Sequence, residues 1–150
     1  MRIMAADYGD ARTGVAVSDI SRSLTGDTWV IHSRKMNDVA DSIVNEAINR
    51  GVSCIVVGYP KNMDGSIGER AEKSEILASL MRTMLSEKAV TGSDRSDPCL
   101  TQVVLWDERM TTLSAHRILD ETGTYGKKRK KSIDAVAASL ILESYLDSLK

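Results

Sequence analysis

The fold of this chain is decided near its start, by the stretch Ile3-Met4-Ala5-Ala6-Asp7-Tyr8-Gly9-Asp10-Ala11-Arg12-Thr13-Gly14-Val15-Ala16-Val17-Ser18-Asp19. Its two apolar segments predict strands that are joined by a polar reversal. Gly9 and Gly14 supply the backbone freedom that such a reversal needs. Asp7 then ends the first strand beside bare backbone, where a phosphate or a metal ion can approach closely. A plain hairpin with a turn carboxylate explains the same residues, so the rest of the chain has to decide between the two.

Strands and helices alternate through the remainder of the chain. Apolar runs predict strands at Thr28–His32, Ser53–Gly58 and Gln102–Trp106. Apolar residues at helical spacing predict helices at Asn37–Arg50, Glu69–Lys88, Thr111–Glu121 and Ser132–Leu149, and a polar stretch predicts a surface loop at Thr91–Thr101. We therefore expect an α/β fold with a mixed five-stranded sheet, three antiparallel strands first and two parallel strands after them, with helices on both faces.

Composition indicates one globular domain that spans residues 1–150. The formal net charge of -1 gives no overall attraction to nucleic acid, so a site for a polyanion must be a local patch. Cys54 and Cys99 lie far apart in unlike surroundings, which fits a reducing compartment. The sequence has no signal peptide and no apolar run of membrane-spanning length. We expect a cytoplasmic protein without a membrane partner.

Carboxylates stand at three places where a strand or a helix meets a loop: Asp7, the pair Asp107-Glu108, and Asp134. Glu108 closely follows the last strand, and Asp134 lies in the first turn of the last predicted helix. Convergent carboxylates from separate elements are the oxygen ligands that Mg²⁺ prefers. Two such ions about 4 Å apart can activate a water for phosphodiester cleavage. Each acid also has an ordinary explanation as a helix cap or as a favourable charge at a helix start.

Five consecutive cations precede the last predicted helix: Lys127, Lys128, Arg129, Lys130 and Lys131. A solvated charged segment is the ordinary interpretation of such a run. Cations at a helix start oppose the helix dipole, however, so an anionic partner explains the run better, most simply a nucleic-acid backbone. Arg12, Arg70 and Arg109 extend the same patch.

The loop Gly58–Ser66 follows a buried strand and contains the hydrogen-bonding side chain of Asn62. In an open sheet of this type, ligands gather beyond the ends of the strands. Asp7, this loop and the pair Asp107-Glu108 are therefore expected at one edge of the sheet.

Four stretches, in order, resemble the motifs of the YqgF (RuvX) family, a Holliday-junction-resolvase-like branch of the ribonuclease-H-like superfamily. They are Asp7-Tyr8-Gly9 through Gly14–Asp19, Val56–Ser66, Asp107-Glu108-Arg109-Met110-Thr111-Thr112, and Lys130–Ala138. Because the four motifs occur in the same order and span nearly the whole chain, the resemblance is highly specific. It departs from the family pattern at two points: a longer polar insert around Thr91–Pro98, and three clear acids where the wider superfamily commonly has four.

The resemblance implies a ribonuclease-H-like fold, a bacterial cytoplasmic location and a metal-dependent nuclease, usually assigned to maturation of the 5′ end of 16S ribosomal RNA. By motif it implies Asp7, Glu108 and Asp134 as the catalytic and metal-binding acids, with Mg²⁺ as the cofactor and Mn²⁺ as the alternative. The wider superfamily commonly has a fourth acid, for which Asp107 and Asp64 are the candidates.

Substrate contacts are expected around these acids, on nucleic acid in the form of structured RNA or branched DNA. The candidate substrate-binding residues are Arg12, Asn62, Arg109, Lys127, Lys128, Arg129, Lys130 and Lys131. Ribosomal precursor particles are the expected larger partner, and the sequence is compatible with a monomer or a homodimer.

Three activities remain open at this point. The leading one is a nuclease on structured RNA. The second is a junction resolvase on branched DNA, which needs a dimer with two active sites, and the third is a weakly catalytic RNA-binding assembly factor. Phosphate-loop enzymes of the sugar-kinase and actin class also use an Asp-x-Gly hairpin, but 150 residues leave no room for their second domain.

Overall fold

The computed structural model describes residues 2–62, 64–91, 101–108 and 126–149. The described strands are β1 (Arg2–Asp7), β2 (Arg12–Ser18), β3 (Thr25–His32), β4 (Val52–Tyr59) and β5 (Gln102–Asp107). The described helices are α1 (Met36–Asn49), α2 (Glu69–Thr91) and α3 (Gly126–Ser148).

The five strands form one sheet in the order β3-β2-β1-β4-β5. The strands β1, β2 and β3 pair antiparallel through the hairpins that join them. The pairs β1–β4 and β4–β5 are parallel, because α1 and α2 carry the chain back between them. The predicted mixed sheet, antiparallel first and parallel after, is therefore confirmed, and β1 lies at its centre.

Helices cover both faces of the sheet because side chains alternate along each strand. Met4 and Ala6 of β1 belong to the core cluster beneath α1 and α2. Ile3 and Ala5 belong to the opposite cluster, beneath α3. Asp7 continues the second series, so its side chain leaves the sheet on the face that α3 covers.

The start of α3 differs from the prediction. The helix begins at Gly126 rather than at Ser132, so the run Lys127–Lys131 lies inside its first two turns. Lysine and arginine are good helix formers, and this preference outweighs the unfavourable interaction of cations with the dipole at a helix start. The prediction that Asp134 lies in the first turn is therefore wrong, because it lies about two turns into the helix.

Other boundaries moved by a few residues. The strand β3 starts at Thr25 instead of Thr28, since Thr25 pairs with Ser18 across an irregular register. The helix α2 continues to Thr91, beyond the predicted end at Lys88. The predicted helix at 111–121 and most of the predicted loop at 91–101 lie outside the described residues. Within the described part of the chain, no helix has the length and apolar character needed to cross a membrane.

Candidate active site

Asp7 is the last residue of β1 and pairs with Gly14 of β2. Gly14 makes a close approach: a Cβ atom added there would collide with the backbone carbonyl of Asp134 and lie 2.6 Å from its carbon. The backbone of α3 therefore crosses directly over Gly14. Because Gly14 lies beside Asp7 in the sheet, this crossing brings Asp134 to the end of the central strand.

Glu108 reaches the same place from the other side of the sheet. It follows β5, on the face of Val104 and Trp106, which pack against the cluster beneath α3. A Cβ atom added at Gly58 of β4 would collide with the carboxyl group of Glu108 and would lie 2.6 Å from Cδ1 of Ile141. The missing side chain at position 58 thus opens the path along which Glu108 extends from β5 across β4 toward β1.

The carboxyl groups of Asp7 and Glu108 share a hydrogen bond. Burial, the nearby charge of Asp7 and this hydrogen bond raise the pKa of Glu108 to about 9. Burial also raises the pKa of Asp7, and the charge of Asp134 acts in the same direction, while the hydrogen bond with Glu108 and the charge of Arg70 lower it. Glu108 therefore carries the shared proton at neutral pH and donates it to the carboxylate of Asp7.

Asp134 completes the acidic group on the α3 side. Its Oδ2 atom is buried and accepts no hydrogen bond from the described residues. Its nearest described cation is Arg12, whose Nε lies 3.5 Å from that Oδ2. This is an ion-pair contact without hydrogen-bond geometry, so Oδ2 keeps the capacity to accept a stronger ligand.

The three acids suit a hard divalent ion by chemistry, since all of their donors are carboxylate oxygens. The described residues nevertheless contain no group of three His, Cys, Asp or Glu side chains arranged to hold a metal ion as they stand. Asp7 and Glu108 are joined by a hydrogen bond through their shared proton, and Asp134 contacts Arg12, so these carboxylates already have partners within the protein. The unsatisfied Oδ2 of Asp134 is the atom in this structure that fits a cation between the acids.

A small cleft of about 30 Å³ opens next to the acids. It is lined by Tyr8, Gly9, Asp10, Arg70 and Lys73. Lys73 is held by ion pairs, its Nζ lying 2.7 Å from Asp10 and 3.4 Å from Glu69. Arg70 is exposed, and its charge acts on both Asp7 and Glu108. Arg70 is thus a cation at the mouth of the site.

The candidates for a fourth acid lie elsewhere. Asp107 is adjacent to Glu108 and leaves the sheet on the opposite face, with Val103 and Leu105 of the α1–α2 cluster. Asp64 accepts hydrogen bonds from the backbone N–H and the hydroxyl of Ser66, at 2.9 Å and 2.6 Å. These bonds lower the pKa of Asp64 and hold it in a turn. Asp64 therefore lies apart from the acids at the end of β1, whereas the charge of Asp107 acts on Glu108 from the other face and contributes to its raised pKa.

The predicted substrate-binding residues are placed unevenly. Arg12 lies on the α3 face of β2 and contacts Asp134. Asn62 stabilises its own loop. Its Nδ2 donates to the hydroxyl of Ser66 at 2.9 Å, and its backbone carbonyl accepts from the backbone N–H of Gly65 at 2.8 Å. Arg109 lies outside the described residues. For Lys127–Lys131 the structure describes the helical backbone, and the side chains lie outside the description.

Sequence reasoning missed the part that Gly58 plays. An isolated glycine within an apolar strand pattern is a known sign of a close approach, and that sign was available at this position. Gly58 lies close to Glu108 and Ile141. The identity of these neighbours depends on the tertiary structure and cannot be inferred from the local sequence.

Comparison with known proteins gives a consistent result. The RuvX family, described as Holliday junction resolvase, matches residues 1–148. A protein of Halothermothrix orenii called "Putative pre-16S rRNA nuclease" is 40% identical over 149 residues, covering 98% of this chain and 95% of that protein. A protein of the same name from Geobacillus kaustophilus is 39% identical over 150 residues, with 99% of both chains covered.

Solved structures show the same fold at low sequence identity. T. thermophilus RuvC in complex with a Holliday junction substrate has a TM-score of 0.56 and 12% identity, over 97% of this chain and 96% of that one. Fowlpox virus resolvase in complex with Holliday junction DNA has a TM-score of 0.54 and 15% identity, with 99% of both chains covered. The predicted ribonuclease-H-like fold is confirmed, and so is the prediction of a nuclease, a hydrolase of phosphodiester bonds.

Proposed function

Because the chain belongs to the RuvX family of Holliday junction resolvases, we propose that it is a metal-dependent nuclease that matures the 5′ end of precursor 16S rRNA. One observation carries the proposal: Asp7, Glu108 and Asp134, which come from three separate elements, converge at the end of the central strand. The names of its relatives support RNA as the substrate. The whole chain, 1–150, acts as one nuclease domain in the bacterial cytoplasm.

In this proposal Asp7, Glu108 and Asp134 are the catalytic residues and hold Mg²⁺, with Mn²⁺ as the alternative ion. When bound, a divalent ion supplies a water of lowered pKa and offsets charge at the phosphate. Glu108 would release to solvent the proton that it shares with Asp7, so that both carboxylates could help to hold the ion. Asp134 would hold it through its carboxylate, and Arg12, released from its long contact with Asp134, would contact a substrate phosphate.

Cations around the acids hold the nucleic acid. Arg12 contacts Asp134, and the charge of Arg70 acts on Asp7, so both suit the phosphates next to the scissile bond. Arg109 and the run Lys127–Lys131 contact the flanking strand, and Asn62 borders the substrate through its loop. Structured RNA within ribosomal precursor particles is the proposed partner of a monomer or a homodimer.

The proposal is tested with purified protein and 5′-labelled 16S rRNA precursor, incubated with Mg²⁺, with Mn²⁺ and with a chelator. We expect shortening at the 5′ end with either ion and none with the chelator. Asp7→Asn should bind the precursor and leave it intact. Cleavage that persists in Asp7→Asn, or that needs no metal, would contradict the proposed site.

A second candidate function is resolution of four-way DNA junctions. The family description favours it, and the two structural neighbours that share the fold are both described in complex with Holliday junctions. The same experiment includes a labelled four-way junction. Paired symmetric cuts by a dimer, without cleavage of the RNA precursor, would favour the resolvase. Binding of RNA without any cleavage would favour an assembly factor.

A further inference from the structure

The outer surface of α1 and α2 carries an open groove with a volume of about 800 Å³. These helices pack on the face of the sheet opposite to α3. The groove is therefore separated by the sheet from Asp7, Glu108 and Asp134, and an occupant there would leave the acids accessible.

The floor of the groove is an apolar stripe on α2. Ile76, Leu80 and Met84 follow each other at intervals of four residues, which places them on one side of the helix over about 12 Å. The side chain of Ile76 is 53% exposed, although a large aliphatic group gains free energy from burial. Met84 adds a flexible side chain of the kind that adapts to a partner surface.

The rim of the groove is acidic. Asp38 and Asp41 stand on the α1 side, and Glu75 and Glu87 on the α2 side. The remaining polar residues of the lining are neutral, and the described lining contains no lysine or arginine. Glu75 is held in place because it accepts a hydrogen bond from the hydroxyl of Tyr59. The apolar stripe thus has negative charge on its α1 side, from Asp38 and Asp41, and near both of its ends on α2, from Glu75 and Glu87.

The negative charge of the groove favours one kind of binding partner over two others, a nucleic acid and a second copy of this chain. Phosphates of a nucleic acid would be repelled by the four carboxylates that line the groove. A second copy of the chain, docked through a two-fold axis, would bring the same acidic surface against itself. We propose instead that the groove binds a cationic amphipathic helix of another protein, in the helix-in-groove manner. The apolar face of that helix would cover Ile76 and Leu80, and its lysine or arginine side chains would meet the acidic rim on both sides.

The test uses a fluorescein-labelled peptide of about 14 residues, made of leucine and lysine with the leucines at helical spacing. Its binding to the full chain is measured by fluorescence anisotropy at about 0.15 M salt, where long-range attraction is screened. Ile76→Ser and the double variant Asp41→Lys with Glu87→Lys should each weaken binding by about tenfold or more, a loss of about 1.4 kcal/mol. A leucine–glutamate peptide of the same spacing should bind the double variant better than it binds the unchanged protein.

Matched controls separate the groove from general attraction. Ile20→Ser removes an isoleucine that is even more exposed, at 68%, from the β2–β3 turn. Glu143→Lys with Asp147→Lys makes the same change in net charge on α3. Both controls should bind the peptide like the unchanged protein, and a leucine–lysine peptide of scrambled order should bind weakly.

Three results would overturn the proposal. One is the absence of groove-dependent binding of the ordered peptide. Another is equal binding of the ordered and scrambled peptides, which would indicate charge attraction alone. The third is a dimer, seen by sedimentation, that Ile76→Ser dissociates, because the groove would then be the contact between two copies. Circular dichroism confirms that each variant is folded.

Discussion

The carboxyl group of Glu108 donates a hydrogen bond to the carboxylate of Asp7, although the strands that carry them are separated by β4. The link crosses β4 at Gly58, where no side chain intervenes. Two acids that are 101 positions apart in the sequence therefore form one titrating unit.

Asp7→Asn should abolish cleavage and leave the fold intact. The amide keeps the volume of the side chain but removes negative charge from a crowded acidic site, so the melting temperature should stay the same or rise. Glu108→Gln should likewise abolish cleavage. Asp107→Asn is the matched control, because Asp107 points to the opposite face and its variant should remain active. Loss of activity in Asp107→Asn with retention in Glu108→Gln would reverse the assignment.

Gly58→Ala should damage the site through packing. The new methyl group collides with Glu108 and Ile141, so we expect a loss of about 1–3 kcal/mol in the free energy of unfolding. Cleavage should fall with it, because Glu108 is displaced from Asp7. In Gly68→Ala the atoms nearest to the new methyl group, among the described residues, belong to the exposed side chain of Asn62 at 3.4 Å, which makes this variant a suitable control. Urea denaturation of both variants measures the difference in the free energy of unfolding. Equal stability would show that the side chain of Glu108 can reach Asp7 without the space left by Gly58.

The metal-free protein should lose stability as the pH rises. Glu108 has a pKa of about 9 in the folded chain, against an ordinary value of 4.5. A raised pKa means that the folded state holds its proton more tightly than the unfolded state. This contribution is fully present below about pH 4.5 and is lost as the pH rises through about 9.

Urea denaturation at several pH values, in the presence of a chelator, measures this effect. Glu108→Gln should flatten the dependence, because the amide does not titrate. Mg²⁺ should offset the loss at high pH, since it binds the deprotonated acids of the folded state. A pH dependence that is the same with Gln at position 108 would show that another group is responsible.

Replacing the five cations Lys127–Lys131 with glutamine should weaken nucleic-acid binding and flatten its salt dependence. Each lost phosphate contact should reduce the logarithmic salt slope by about 0.7 for single strands or about 0.9 for duplex DNA. The helix should persist, because glutamine is also a good helix former. Residual cleavage at low salt is expected. Unchanged affinity and slope would identify the run as a solvated segment.

Arg70→Ala should reduce cleavage and also weaken binding of the precursor in the presence of a chelator. The guanidinium lies at the mouth of the cleft beside Asp7, where a phosphate would enter. Arg70→Lys should restore part of the binding, since it keeps the charge but loses the two-pronged geometry. Lys88→Ala, on the last turns of the same helix, should have little effect. Equal losses in both alanine variants would point to net charge alone.

The sheet could be predicted from the sequence because its strands carry strong local signals. The hairpin of β1 and β2 and the doubly apolar β4 and β5 have patterns that few other structures produce. The start of α3 could not be predicted in the same way, since helix propensity and the helix dipole oppose each other at Lys127–Lys131 and the sequence does not show which effect is larger. Asp107 and Glu108 are neighbours in sequence, and the alternation of side chains, which begins at Val103, is what separates them.

The convergence of the acids follows from the topology, whereas their protonation does not. Three carboxylates at element ends indicated one edge of the sheet. Burial beneath α3 determines two other properties of the site. Glu108 holds a proton, and Oδ2 of Asp134 lacks a hydrogen bond within the described residues. Burial of this kind is set by long-range packing and leaves no mark in the local sequence.

The early start of α3 places the cations Lys127–Lys131 and the acid Asp134 on the same helix. Lys131 and Lys127 lie three and seven residues before Asp134 on one continuous helix, about 4.5 Å and about 10.5 Å along its axis. Since the helix packs on Gly14 beside Asp7, it fixes the distance between the acids and the cations Lys127–Lys131. A nucleic-acid strand bound by these cations would then be cut at a fixed distance from the bound phosphates. Inserting one alanine between Lys131 and Asp134 would turn the grip by about 100° and should shift the site of cleavage.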